Sequence, residues 1–164
     1  VRPHNVLGIY QNIWDRYRNV IGIFIRKTLN GIPILVYGDG EQTRAFSDIQ
    51  YYMEPFDLLH DNFDGEIFNI GADKFFTLNK VAETVQSIGK KYGYDVPIEH
   101  AEGRHEVKHA YCNHDKAKTM LGFRDNTKLE ELIEDMFVWA MNQPNRKVKD
   151  FEYEITDGIY DYWK

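Results

Sequence analysis

The stretch that decides the fold spans residues 32–48 and reads IPILVYGDGEQTRAFSD. Its first six residues are rich in β-branched and aromatic side chains and run into two glycines, which predicts a strand that ends in a turn. On either side, residues 20–29 and 78–88 carry apolar side chains at helical spacing. Strands that alternate with helices indicate an α/β fold.

The remaining helix starts and stops follow from capping residues. Ser47 and Thr127 each open a capping-box sequence, and Thr77 is a candidate N-cap. Pro55 is expected to kink the helix that follows Ser47, and Gly122 is expected to end a short helix. The resulting predicted helices span 20–29, 49–59, 78–88, 114–121 and 129–140, and the predicted strands span 32–37, 66–71 and 96–100.

Composition bounds the class of protein. The chain has 164 residues, 43% hydrophobic and 28% charged, which is typical of one globular domain. Its net charge of −6 opposes binding to duplex nucleic acid or to an anionic membrane. No apolar run approaches the ~18–20 residues that cross a bilayer. The single cysteine, Cys112, excludes a disulfide framework and fits a reducing compartment, so we expect a cytoplasmic protein.

Two patterns with catalytic or metal-binding residue types carry little weight. Tyr160 and Lys164 match the Y-x-x-x-K spacing of short-chain dehydrogenases, but they lie in the last five residues and we interpret the match as coincidence. A loose group of ligand-type side chains lacks the tight pairs of a zinc site, so no metal is expected. That group comprises His100, His105, His109, Cys112 and His114.

The turn after the central strand has the residues of an anion site. Tyr37 ends the strand and can stack on a base, and the Arg44 guanidinium can bind phosphate oxygens in fork geometry. On physical grounds alone, a hairpin turn with a solvated arginine is an equally good interpretation. No G-x-G-x-x-G, G-x-S-x-G or Walker A motif occurs in the chain.

Motifs that occur in the same order resemble those of extended short-chain dehydrogenases, the NAD-dependent epimerases and dehydratases of nucleotide sugars, including UDP-glucose 4-epimerases. The family patterns are R-x-x-N-V-Y-G, V-Y-G-D-G-x-Q-x-R-D-F, Y-N-I-G, R-x-G-D followed by A-D-x-x-K-A-x-x-x-L-G-W, and T-x-L-E-E-G-L followed by W. The matching stretches are RPHNVLG at 2–8, VYGDGEQTRAF at 36–46, IFNIG at 67–71, GRHEV at 103–107, NHDKA at 113–117, LGF at 121–123, and TKLEE at 127–131 with Trp139. The chain departs from the pattern at Leu7, Ala45 and Asn113, so the sugar and the choice between epimerisation and dehydration stay open.

The resemblance implies a C-terminal, substrate-binding α/β domain whose Rossmann half is absent from this chain. Residues 1–146 would form that domain, with 1–8 as the end of a Rossmann-half strand and 147–164 as an aromatic, acidic tail. The family's catalytic Tyr and Lys and its glycine fingerprint would precede residue 1, so no catalytic residue is assigned here. NAD would belong to the full-length enzyme, and the chain alone is expected to bind none.

The resemblance also implies the site residues. Arg44 and Arg104 would bind the diphosphate of a nucleotide sugar, with a UDP-hexose as the expected ligand. The other implied substrate-binding residues are Asn5 at phosphate or sugar, Asn19 and Val20 at a helix N-terminus, Leu35 and Tyr37 beside the base, and Gln42. Pro3 and His4 would pass the nicotinamide of the cofactor.

Other classes of function remain open at this point. The chain could be a free-standing, non-catalytic nucleotide-binding module, or an interaction domain in which residues 151–163 serve as a docking segment. The missing Rossmann half would be a partner, and exposed strand edges near Val6 would favour self-association.

Overall fold

The computed structural model describes residues 1–15, 19–60 and 62–146, and strands alternate with helices along the chain as predicted. The tail at 147–164, with Tyr160 and Lys164, lies outside the described residues. The helices are α1 Val20–Leu29, α2 Met53–Leu59, α3 Leu78–Lys91, α4 Asp115–Leu121 and α5 Leu129–Met141. The strands are β1 Arg2–Pro3, β2 Val6–Leu7, β3 Ile34–Tyr37, β4 Thr43–Ala45, β5 Ser47–Asp48, β6 Asn69–Ile70, β7 Phe75–Thr77, β8 Ile98–Ala101 and β9 His109–Ala110.

In the described part of the chain, four small sheets join segments that are distant in sequence. Three are parallel pairs, β1 with β6, β2 with β5, and β3 with β8. The fourth has β4 between β7, which is antiparallel to it, and β9, which is parallel to it. Residues 102–108 connect β8 to β9, so these pairings hold that connection between the ends of β3 and β4.

The main core lies where α1, α3 and α5 pack together and against β3. Fully buried side chains of this core include Ile25, Val36, Val85, Ile133 and Phe137. Each such side chain contributes about 1.5–3 kcal/mol of burial free energy. A second, smaller core contains Tyr52, Phe68, Ile70, Ala117, Leu121 and Phe123. No helix of the described ranges is long and apolar enough to span a membrane.

Two cap predictions are confirmed at the ends of helices. Thr77 caps α3, with its hydroxyl accepting a 3.1 Å hydrogen bond from the Lys80 amide. Gly122 follows α4 with a φ of 65°, the left-handed conformation that glycine adopts without strain. Pro55 does not kink a long helix, because residues 49–52 form a separate 3-10 turn and α2 begins at Met53. The proline therefore sits in the first turn of α2, where its missing N–H is not needed.

The two capping-box predictions are wrong. Asp48, not Ser47, caps the 3-10 turn, because its carboxylate accepts from the Gln50 amide at 2.9 Å. The Ser47 hydroxyl instead donates to the His4 carbonyl at 2.9 Å and contacts the Tyr52 hydroxyl at 2.8 Å. The Ser47 hydroxyl therefore bonds to the distant His4 carbonyl and not to a backbone amide of the turn that follows it.

At the start of α5, the predicted capping residue likewise bonds to other partners. Thr127 does not cap the helix, since its hydroxyl donates to Asp125 and accepts from the Asp48 amide. Lys128 occupies the N-cap position without a side-chain cap. Glu130 and Glu131 lie in the first turn, where their charges interact favourably with the helix dipole.

Candidate functional site

Tyr37 and Arg104 contact each other directly. Ile34 and Val36 point into the core from β3, so Leu35 and Tyr37, which are half-buried, lie on the opposite face of the strand. The Arg104 guanidinium carbon lies 3.1 Å from the centre of the Tyr37 ring. A cation over an aromatic face contributes about 0.5–2 kcal/mol, depending on how far the pair is removed from water.

Glycines allow the backbone to turn tightly beside this pair. Gly38 has a φ of 71°, and a Cβ added there would lie 3.5 Å from the Gly103 Cα, so the two backbones pass in contact. Gly40 has a φ of 74°, and a Cβ added there would lie 1.9 Å from the Asn79 side-chain oxygen. The positive φ favours glycine at position 40, and a larger residue would in addition have to displace the Asn79 side chain.

Arg44 is held by a carboxylate and by backbone carbonyls. Its Nη2 lies 2.9 Å from a carboxylate oxygen of Glu106. Its Nη1 donates to the carbonyl of Thr43 at 2.8 Å and to that of Lys108 at 3.3 Å. The guanidinium thus lies across the connection between β8 and β9.

Gln42 joins these contacts into one network. Its buried side-chain amide donates to the Tyr37 carbonyl at 2.9 Å and to the other Glu106 oxygen at 3.0 Å. Tyr37, Gln42, Arg44 and Arg104, all expected at the substrate, are therefore connected through direct contacts. Glu106 was not expected among them, although it follows Arg104 by two residues in the same motif.

Asn5 and His4 lie next to β4. The Asn5 side-chain amide donates to the Ala45 carbonyl at 2.9 Å, and the residue has a φ of 44°, which is uncommon outside glycine. Burial lowers the pKa of His4, and the nearby charge of Arg44 lowers it further. The His4 Nδ1 atom is buried and has no hydrogen-bond partner. Pro3 is exposed and pairs with Ile70 across β1 and β6.

Asn19 and Val20 stand apart from this network. The Asn19 side chain caps α1 by accepting from the Ile21 amide at 3.3 Å, and Val20 packs against the main core. At the other end of α1, burial lowers the pKa of Lys27, and the charges of Arg26 and Arg104 lower it further against the opposing effect of Glu99. Asn19 is eight residues before Lys27, or about 12 Å along the helix axis.

The histidines and Cys112 do not form one site. His100 and His109 have separate partners, the Gly38 carbonyl at 2.9 Å and the Thr43 hydroxyl at 2.8 Å. His114 is buried, with one ring nitrogen 2.8 Å from Asp73 and the other 3.2 Å from the Cys112 carbonyl. Within residues 1–15, 19–60 and 62–146, no group of three His, Cys, Asp or Glu side chains could hold a metal.

Comparisons with known proteins agree with the motifs. Residues 1–71 match the NAD dependent epimerase/dehydratase family. The UDP-N-acetyl-alpha-D-glucosaminuronate decarboxylase of Bacillus cytotoxicus is 30% identical over 128 residues, which are 75% of this chain and 40% of that protein. The GDP-mannose 3,5-epimerase of Arabidopsis thaliana is 29% identical over 87% of this chain and 37% of its own length.

The fold agrees as well. The crystal structure of a UDP-glucose 4-epimerase from Thermotoga maritima, solved with UDP-glucose, superposes with a TM-score of 0.75 at 27% identity, covering 85% of this chain and 44% of that one. The chain thus spans about two fifths of the length of the relatives that it matches. In sequence and in fold, it is related to the NAD-dependent epimerases and dehydratases of nucleotide sugars, as its motifs predict.

Proposed function

We propose that residues 1–146 form the part of an NAD-dependent epimerase or dehydratase that holds the nucleoside diphosphate of a nucleotide sugar. The proposal rests on the network that joins Tyr37, Gln42, Arg44 and Arg104 across the ends of β3 and β4. Two arginines and an aromatic ring in one network are the groups that a base and a diphosphate require.

The chemistry of each group supports its role. Arg44 and Arg104 supply two positive charges and planar donors for phosphate oxygens. Leu35 and Tyr37, on one face of β3, offer an apolar and an aromatic surface to a base. Asn5 lies beside β4 and offers a polar group near Arg44, at the phosphate or the sugar.

The residues present do not fit NAD as a whole. His4 offers a buried ring nitrogen without a partner, but the chain has no glycine fingerprint for the pyrophosphate of the cofactor. NAD supplies hydride transfer when bound to the full enzyme, and no step of that transfer is assigned to these residues. The isolated chain is therefore expected to bind nucleotide and not to turn it over.

Isothermal titration calorimetry with UDP tests the proposal. Arg44→Gln and Arg104→Gln should each weaken UDP binding about ten- to a hundredfold, because a charge-assisted hydrogen bond contributes about 1.5–3 kcal/mol. Arg124→Gln is the matched control, since Arg124 is exposed and is not part of the network. Uridine, which lacks phosphate, should bind weakly to all four proteins.

Three other results would contradict parts of the proposal. Equal affinity of the wild type and both site variants would refute the assignment of these arginines. No UDP binding by the wild type would favour the interaction-domain interpretation instead. Turnover of a nucleotide sugar with added NAD would refute the non-catalytic status of the isolated chain.

A further inference from the structure

Asn5 lies where the N-terminal segment changes its strand partner. β1 pairs with β6 and β2 pairs with β5, so the chain leaves one sheet and joins another between β1 and β2. Asn5 lies in this crossing with a φ of 44°, in the left-handed region that favours glycine. A residue keeps such a conformation only where the contacts around it hold it there.

Hydrogen bonds hold the backbone of this crossing on both sides of Asn5. The His4 amide donates to the Ile70 carbonyl at 2.9 Å, and the Asn5 carbonyl accepts from the Ser47 amide at 3.1 Å. Between these two bonds, the His4 carbonyl accepts from the Ser47 hydroxyl at 2.9 Å. The bonds thus fix successive peptide groups, and the middle one depends on a side chain.

The Tyr52 hydroxyl supports that side chain from inside the smaller core. It lies 2.8 Å from the Ser47 hydroxyl and 2.9 Å from the Ile70 carbonyl, and both Tyr52 and Ser47 are buried. Burial raises the pKa of Tyr52, so its hydroxyl keeps its proton at neutral pH. Because Ser47 gives its one proton to His4, the Tyr52 proton serves the Ser47 oxygen and the Ile70 carbonyl. The Tyr52 hydroxyl therefore joins the two strands between which the chain crosses.

We propose that Tyr52 is a positioning residue, which acts through Ser47 to hold Asn5 where its carboxamide can bind the nucleotide sugar. The inference rests on the proposed function and adds a residue that supports the same site. The Asn5 side-chain amide donates to the Ala45 carbonyl at 2.9 Å. A carboxamide has two N–H donors and one oxygen, so this bond leaves a donor and an acceptor for a ligand. Tyr52 is fully buried and acts without touching the ligand.

A double-mutant cycle between Tyr52 and Asn5 tests the proposal by calorimetric titration with UDP-glucose. Tyr52→Phe removes the hydroxyl and keeps the ring, and it should weaken binding about two- to tenfold, as expected for the loss of one buried hydrogen bond. Asn5→Gly removes the carboxamide and suits the positive φ. In that background, Tyr52→Phe should change the affinity by less than about twofold, because the group through which it acts is gone.

The neighbouring tyrosine provides the matched control. The Tyr51 hydroxyl donates to the Asn126 carbonyl at 3.2 Å, away from the crossing, so Tyr51→Phe should keep the wild-type affinity for UDP-glucose. Ser47→Ala interrupts the proposed chain of bonds at its middle. It gives a second variant for the cycle with Asn5→Gly, and it should weaken binding at least as much as Tyr52→Phe does.

Nuclear magnetic resonance provides a second measurement that needs no nucleotide. The signals of the Asn5 side-chain amide are those that disappear in Asn5→Gly. Tyr52→Phe should shift these signals, whereas Tyr51→Phe should leave them in place. Urea unfolding of each variant separates stability from position, because a purely structural role of Tyr52 would lower the stability without moving the Asn5 signals.

The cycle distinguishes failure of this proposal from failure of the proposed function. Weaker binding by Tyr52→Phe that disappears in the Asn5→Gly background, together with shifted Asn5 signals, supports the proposal. Equal effects of Tyr52→Phe in both backgrounds, or unchanged affinity of Tyr52→Phe and Ser47→Ala, would overturn it and leave the proposed function standing. If the wild type does not bind UDP-glucose, this proposal and the proposed function both fail.

Discussion

Substitution of Gly71 tests the packing beneath the N-terminal segment. A Cβ added at Gly71 would lie 2.7 Å from the Cys112 sulfur and 3.2 Å from the His4 Cβ. Overpacking of this kind costs about 1–3 kcal/mol. Replacing glycine by alanine also restricts the unfolded chain, which returns about 0.4–1 kcal/mol. We therefore expect Gly71→Ala to lower the free energy of unfolding by about 1–2 kcal/mol.

Removing the sulfur identifies the cause of this loss. In the Cys112→Ala background, Gly71→Ala should cost at least about 1 kcal/mol less than it does in the wild type, because the closest contact is gone. Urea unfolding of the four proteins of this cycle gives both values. A cost that is the same in both backgrounds, or a Gly71→Ala variant as stable as the wild type, would refute the reasoning.

Gly22→Ala is the control for the substitution itself. Gly22 lies inside α1, and a Cβ added there would meet Ile13 atoms at 3.6 Å, an ordinary contact distance. Because alanine favours a helix over glycine by about 1 kcal/mol, this variant should be at least as stable as the wild type. The same chemical change thus has opposite expected signs at the two positions.

Two further predictions concern pH. Burial lowers the pKa of His4 below 6.5, so the unfolded chain takes up a proton first, and the free energy of unfolding falls as the pH drops below about 6.5. His4→Gln should reduce the difference in urea stability between about pH 7.5 and about pH 5.5, and an unchanged difference in this variant would contradict the prediction. Burial alone would raise the pKa of Asp73, but hydrogen bonds from Lys118 and His114 lower it overall, so its stabilising effect is lost as the pH falls below about 3.8. Asp73→Asn should cost about 0.5–1 kcal/mol at neutral pH, because the carboxylate is 43% exposed, and it should flatten the loss of stability in acid; a variant as stable as the wild type at neutral pH would refute this.

The helices of the main core could be predicted from the sequence because their signals are local. The apolar spacing of residues 20–29 and the Thr77 cap lead directly to α1 and to the start of α3. The capping-box predictions at Ser47 and Thr127 failed because a Ser or Thr hydroxyl can either cap a helix or bind a distant partner. Which of the two it does depends on tertiary contacts, here with the His4 carbonyl for Ser47 and with the Asp48 amide for Thr127.

The short strands were less predictable for the same reason. The predicted strand at 66–71 reduces to Asn69–Ile70. These two residues pair with Arg2–Pro3, near the start of the sequence. Two-residue strands have no period to detect. Their partners lie far away in the sequence, so no local pattern identifies them.

Some features of the candidate site could likewise be predicted from local sequence, and others depend on tertiary structure. The residue types that a nucleotide requires at Tyr37, Arg44 and Arg104 could be named from motifs and chemistry. The ion pair between Arg44 and Glu106 could not, because it depends on the register that sets Arg44 opposite Ala110 and so brings the preceding loop beside it.

This register has a consequence for binding. Backbone hydrogen bonds hold both ends of the loop 102–108, so under the proposed function a ligand would not have to fix the ends of this loop. Arg44 also has an internal partner in Glu106, and Arg104 has one in the Tyr37 ring. A preformed backbone lowers the entropic cost of binding, while the internal partners oppose it. Under the proposed function, the affinity for a diphosphate would therefore depend on these internal contacts as well as on the fit of the two arginines to the phosphates.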